Sequence, residues 1–124
     1  MYKRDPKLSA LLFNEHINNQ NLKGLINLMT DDHVFIDILG KVHDREHMVT
    51  EGWQNFFDSF PDYRNIFTRV ENQDNLVILI GFSVCSYDPL DGPAIWTATI
   101  RNDLLTKWQI FEDTKENREM LCII

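Results

Sequence analysis

The sequence places an acid where one is costly. Asp37 stands between Ile36 and Ile38 near the end of an extended segment. A carboxylate held in an apolar pocket has its charged form disfavoured and becomes a stronger base. Asp37 is therefore the leading candidate for moving a proton, with a turn carboxylate bound to backbone N–H groups, or paired with Arg45, as the plainer alternative. His16 falls within the apolar stripe of its helix, one turn after Phe13, and supplies a candidate donor or base. Glu112 and Asp113 close the last extended run. Strand alternation turns one inward and the other outward, and Glu112 shares the side of Trp108 and Ile110.

Other chemistries find less support. His43-Asp44-Arg45-Glu46-His47 has the H-x-x-E-H spacing of some zinc peptidases. That motif needs one continuous helix, whereas this segment straddles a turn and a helix start, so no metal is expected. Glu46 suits the first turn of a helix. His33, beside Asp32, reads as a solvated edge residue. No glycine-rich phosphate loop, dinucleotide fingerprint or serine triad stands out, and no cofactor is called for.

These candidates need elements to hold them. Leu8, Leu11, Leu12, Phe13 and Ile17 recur at helical spacing, behind a proline suited to a first turn. Leu22, Leu25, Ile26 and Met29 mark a second, shorter helix. Residues 33–39 read as a strand and 40–44 as a turn or short hairpin. A third helix runs from Arg45 to about Phe60, with Trp53, Phe56 and Phe57 on its apolar side. The period then becomes extended: strands at 63–70, 76–87, 94–101 and 104–112, separated by turn-rich clusters. Helices first and a strand meander after it predict one α+β domain over residues 1–124, three N-terminal helices on a curved antiparallel sheet.

The run Leu76-Val77-Ile78-Leu79-Ile80 is apolar at every position, so both faces of that strand should be covered. A homodimer packed sheet on sheet is one way to do this, and long neighbouring side chains are another. Phe13, Trp53, Phe57, Tyr63, Trp96 and Trp108 are candidates to line a cavity for a small apolar ligand.

With 124 residues, 44% hydrophobic, 25% charged and a net charge of −7, the chain has the balance of a soluble domain. The negative charge speaks against nucleic acid and anionic membranes as partners. Two cysteines, Cys85 and Cys122, make no disulfide framework. With no signal-peptide pattern or bilayer-spanning run, the expected location is the cytoplasm.

Several phrases in order resemble the SnoaL-like group of the nuclear transport factor 2-like superfold. They are Leu28-Met29-Thr30-Asp31-Asp32-His33-Val34-Phe35-Ile36-Asp37, then Arg45-Glu46, Gly52-Trp53 and Phe60-Pro61-Asp62-Tyr63-Arg64. Gly92-Pro93-Ala94-Ile95-Trp96 and Trp108-Gln109-Ile110-Phe111-Glu112-Asp113 complete the set. The resemblance implies a cone-shaped, cystatin-like fold with an internal pocket. It also implies isomerase- or polyketide cyclase-type chemistry without a cofactor on an apolar carbonyl compound, although the superfold also hosts non-catalytic binders. By likeness to ketosteroid isomerases, Asp37 matches a proton-moving aspartate. Phe13 stands where that family has its donor tyrosine, which leaves Trp96 as a candidate donor. By likeness to SnoaL-like cyclases, Asp113 matches a late acid–base aspartate, which disagrees with the inward parity of Glu112.

Overall fold

The computed structural model describes residues 4–123. Helix α1 (Pro6–Asn18) starts with proline in its first turn, and Asp5 caps it by accepting the Lys7 N–H at 3.0 Å. Its inward face is Ala10, Phe13, Asn14 and Ile17. Helix α2 (Leu22–Asn27) is capped by Asn21, which accepts the Gly24 N–H. Strand β1 (Met29–Ile36) and the short β2 (Val42–Asp44) form a hairpin. A third helical stretch follows as α3 (Arg45–His47), a π-helical turn (Met48–Gly52) and α4 (Trp53–Ser59). Asp44 starts it, accepting the His47 N–H at 2.8 Å. Then come β3 (Arg64–Gln73), β4 (Leu76–Val84), a 3₁₀ turn (Asp88–Leu90), β5 (Gly92–Arg101), β6 (Leu104–Glu112) and α5 (Lys115–Met120).

The α+β arrangement expected from the sequence is present, with two differences in the sheet. Its order is β2-β1-β6-β5-β4-β3, and the β1–β6 pair is parallel rather than antiparallel. Parallel neighbours need a long crossover, and most of the chain separates these two strands. The first strand also begins at Met29 rather than at residue 33, so the second helix ends earlier than its apolar spacing suggests.

The apolar run in β4 is covered on both faces. Val77 and Leu79 join the main core under the helices. Ile78, Ile80 and Ile95 form a second cluster on the outer face with Leu121 and Ile123. The cover there is the chain's own C-terminal segment, an element the sequence reading did not anticipate. The segment turns back after α5 because Cys122 adopts φ 58° and the Ile123 N–H donates to the Arg118 carbonyl at 2.8 Å. The apolar run therefore needs no second subunit to account for it.

Phe13 sits at the centre of the inner core with no exposed surface. Its ring lies 5.0 Å from Trp108, 5.7 Å from His33 and 6.2 Å from Trp53. His33 is thus a core residue, 1% exposed, and not the solvated edge residue expected from its neighbours. Its Nδ1 meets the Leu105 carbonyl at 2.7 Å, so Nδ1 carries the proton and donates. Extending the β1–β2 register past Val34–Asp44 sets Arg45 opposite His33. Burial lowers the His33 pKa, the Leu105 carbonyl and Asp32 oppose this, and the charge of Arg45 reinforces it.

Two measurements test this core. Gly81 pairs with Phe67 at a register shift in β3, where an added Cβ would lie 2.0 Å from the Ile66 carbonyl oxygen. Gly81→Ala should cost about 1–3 kcal/mol in urea unfolding. His33 binds its proton more weakly folded than unfolded, so its contribution is complete above the unfolded pKa and is lost as pH falls through it. Between about pH 7.5 and 5 the wild type should lose stability that His33→Gln does not lose, and equal losses would contradict the buried neutral histidine.

Candidate functional site

A cavity of about 380 Å³ opens between the concave face of the sheet, the third helical stretch and the 88–93 loop. Its sheet wall takes His43 from β2, Phe35 from β1, Ile110 from β6, Trp96 and Ala94 from β5 and Ser83 from β4. Those are five neighbouring strands, so the slot extends roughly 19 Å at about 4.8 Å per strand. Trp53, Phe56 and Met48 form the helical wall. The hollow exists because α1 fills only the other part of the concave face, with Phe13, Ile17 and Trp108 packed solid.

The polar groups concentrate at the β1–β2 end. Asp37 follows β1 and closes the hairpin loop. Its Oδ1 accepts the N–H groups of Leu39 and Lys41, each at 3.0 Å, and its Oδ2 faces His43 Nε2 at 3.0 Å. Gly40, at φ 83°, allows the chain to turn tightly enough for this. Burial alone would raise the Asp37 pKa, but the His43 bond and the two backbone N–H groups outweigh it, and the net shift is downward. The expectation that its surroundings make Asp37 a stronger base is therefore corrected. Asp37 is an ionised turn carboxylate, its side chain 28% exposed, and its partner is His43 rather than Arg45.

An ionised carboxylate only accepts, so His43 carries its proton on Nε2 and keeps the lone pair of the neutral ring on Nδ1. The His43 ring stacks on Phe35 at 5.6 Å and beside His47 at 5.7 Å. Phe35 in turn packs 5.7 Å from Trp53. The indole N–H of Trp53 is buried and has no hydrogen-bond partner among the described residues. His43 and His47 come from the histidine-rich segment set aside as a metal motif. Among the described residues, no group of three or more His, Cys, Asp or Glu is arranged to hold a metal ion. Cross-strand register would have found His43, because a hairpin closing at Asp37 and Lys41 puts residues 35, 37 and 43 on one face.

The other candidates are scattered. Trp53 and Trp96 line the cavity, whereas Phe13, Phe57, Tyr63 and Trp108 are core around it. His16 does not reach the cavity. It packs against Gly24, where even a Cβ would lie 2.4 Å from its Nδ1, and Asn21 bonds it at 3.3 Å. Glu112 has the inward parity, opposite Ala94, but it is exposed at the strand end and is not a lining residue. Asp113 faces α5, where Arg118 Nε donates to it at 2.6 Å and holds its pKa down. That pair borders a second, more open hollow on the outer face, beside Phe82 and Val84. The late acids are thus separated from Asp37 because one caps the open end of β6 and the other is bound by α5.

If Asp37 pins the hairpin as an anion, its contribution is full above the ordinary carboxylate pKa and fades as pH falls through the lowered value. The stability gap between wild type and Asp37→Asn should therefore narrow from about pH 6 to below about pH 4 in urea titrations. A gap independent of pH would show that the charge does not matter.

Comparison with known proteins agrees with this architecture. The family model of the SnoaL-like domain matches residues 11–108. No curated protein matches. Among solved structures, a protein from Shewanella denitrificans provisionally assigned as a SnoaL-like polyketide cyclase superposes with TM-score 0.75 at 15% identity, covering 94% of this chain and 96% of that one. IdmH from Streptomyces antibioticus, also provisionally assigned as a polyketide cyclase, gives 0.73 at 17% identity over 96% and 97%. A protein of ketosteroid isomerase-like fold from Catenulispora acidiphila, crystallised with trimethylamine, gives 0.66 at 15% over 83% of each chain. At such identities the structural likeness is one of fold, and it is the family match over most of the sequence that makes this chain a member of the SnoaL-like family.

Proposed function

We propose that this protein is a cofactor-independent acid–base enzyme, of isomerase or cyclase type, acting on an uncharged, largely apolar carbonyl compound. The observation that carries the reading is the bond between His43 Nε2 and Asp37 Oδ2 at the wall of an apolar cavity. Asp37 is itself fixed by two backbone N–H groups, so it orients the imidazole. His43 Nδ1 is then the base that removes a proton next to the carbonyl. The unpaired N–H of Trp53 is closed off from the cavity, so it becomes a donor to the oxygen on which charge develops only if the indole shifts as the ligand enters. The fold likeness to proteins described as polyketide cyclases supports the class of chemistry, though not a particular substrate.

A neutral bicyclic ketone, 2-tetralone, tests this directly. Wild type should accelerate exchange of its α-hydrogens in D₂O, followed by NMR. His43→Ala should reduce the acceleration by about 10²–10⁴-fold, the usual range for a positioned base. Asp37→Asn should reduce it less and alter its pH dependence. Saturable binding of the ketone with no exchange above buffer would make the protein a carrier of such compounds and end the enzyme reading.

A further inference from the structure

A chain of buried polar side chains runs from α1 to the cavity at the end remote from His43. Asn14 Nδ2 donates to the Asn65 carbonyl at 3.5 Å, and this fixes which way its amide faces. Asn14 Oδ1 therefore accepts from Asn65 Nδ2, at 3.0 Å. Asn65 is held from a second side by Asn18, which donates to its carbonyl at 3.0 Å and accepts its N–H at 2.9 Å. With its Nδ2 committed to Asn14, Asn65 turns Oδ1 toward Ser83 and accepts the Ser83 hydroxyl at 2.9 Å. That uses the one proton Ser83 has. The Tyr63 hydroxyl is 3.1 Å from Ser83 Oγ. Burial raises the Tyr63 pKa, with the Ser83 and Asn65 hydrogen bonds opposing, so the phenol stays protonated at neutral pH.

The consequence is chemical selectivity at a cavity residue. Ser83 lines the cavity, and its proton points away into the protein. Tyr63 can occupy one of its two lone pairs, which leaves an oxygen able only to accept. Asp37 and Asp91 are the acids of the lining, its two histidines are each paired with an acid (His43 with Asp37, His47 with Glu51), and no lysine or arginine lines the cavity to neutralise an anion.

We propose that Ser83 Oγ is an acceptor-only anchor, through which the cavity selects uncharged ligands carrying a hydroxyl or N–H at the end remote from His43. This rests on the cavity being the ligand site, and it adds a rule about which ligands enter. A methyl ether in place of the hydroxyl leaves Ser83 facing an oxygen with nothing to donate. A carboxylate there brings an uncompensated charge to the end of the cavity that holds Asp91.

Three naphthalenes separate these possibilities: 2-naphthol, 2-methoxynaphthalene and 2-naphthoate, titrated against quenching of Trp53 and Trp96, the two indoles at the cavity. Wild type should bind the naphthol about five- to tenfold more tightly than the ether, as one hydrogen bond supplies, and the naphthoate more weakly than either. Ser83→Ala should bind naphthol and ether equally, while His43→Ala should keep the preference. Because Ser83→Ala strips a partner from buried Asn65, Ser83→Cys serves as the second variant. It keeps the volume with a weaker acceptor and should reduce the preference. Equal binding of naphthol and ether by wild type overturns the anchor while leaving the cavity as a ligand site. A preference that survives in both Ser83 variants, or is lost in His43→Ala instead, also overturns it. Binding of none of the three removes the cavity reading and the anchor together.

Discussion

The packing of Phe13 decides where this molecule is solid and where it is hollow. One aromatic ring from α1 meets Trp108 of β6, His33 of β1 and Trp53 of α4, and all four are nearly or wholly withdrawn from water. Close packing of this kind tolerates little change in volume. It ties the first helix to the parallel β1–β6 pair and stops the helical wall from closing further onto the sheet. Beyond it, the sheet and the third helical stretch face each other across the cavity. The position held by Phe13 thus has a supporting role in place of the hydrogen-bond donor that the resemblance to ketosteroid isomerases led one to look for there.

Much of the fold was legible because its signals are local. The helical spacing of Leu8, Leu11, Leu12, Phe13 and Ile17, and Pro61-Asp62 after α4, mark elements without reference to the rest of the chain, although Leu8 and Leu11 turn out to be exposed. What was not legible depends on distant partners. Helix α5 reads Lys115-Glu116-Asn117-Arg118-Glu119-Met120, with no apolar stripe, and the residues that anchor it, Leu121 and Ile123, lie past its end. The direction of β1 relative to β6 is likewise set by tertiary crossover and not by either strand's pattern.

The site divides in the same way. Asp37 was visible because a carboxylate between isoleucines is an anomaly in one short segment. His43 was not, because histidine near a turn is unremarkable until the hairpin register sets it across from Phe35. His16 misled because helical spacing gives a face only to within a residue or so, and Gly24 makes room for the ring on the wrong side. Asn65 and Ser83 carried no sequence signal at all. Their significance lies in the direction of hydrogen bonds among four side chains: Asn14 of α1, Tyr63 just before β3, Asn65 of β3 and Ser83 of β4.

The π-helical turn at Met48–Gly52 sits between the two histidines and the aromatic row that faces them. Such turns add about one residue to an otherwise α-helical path. Removing one residue there would restore a uniform helix and leave the residues downstream nearly in phase with His43, because five residues of the wider turn sweep about the same angle as four α-helical ones. The indole of Trp53 would keep its place on the opposing wall although the chain before it had lost a residue. Related chains that differ only by this single insertion would therefore share a topology, a core and the same aromatic wall, the difference being confined to the turn itself.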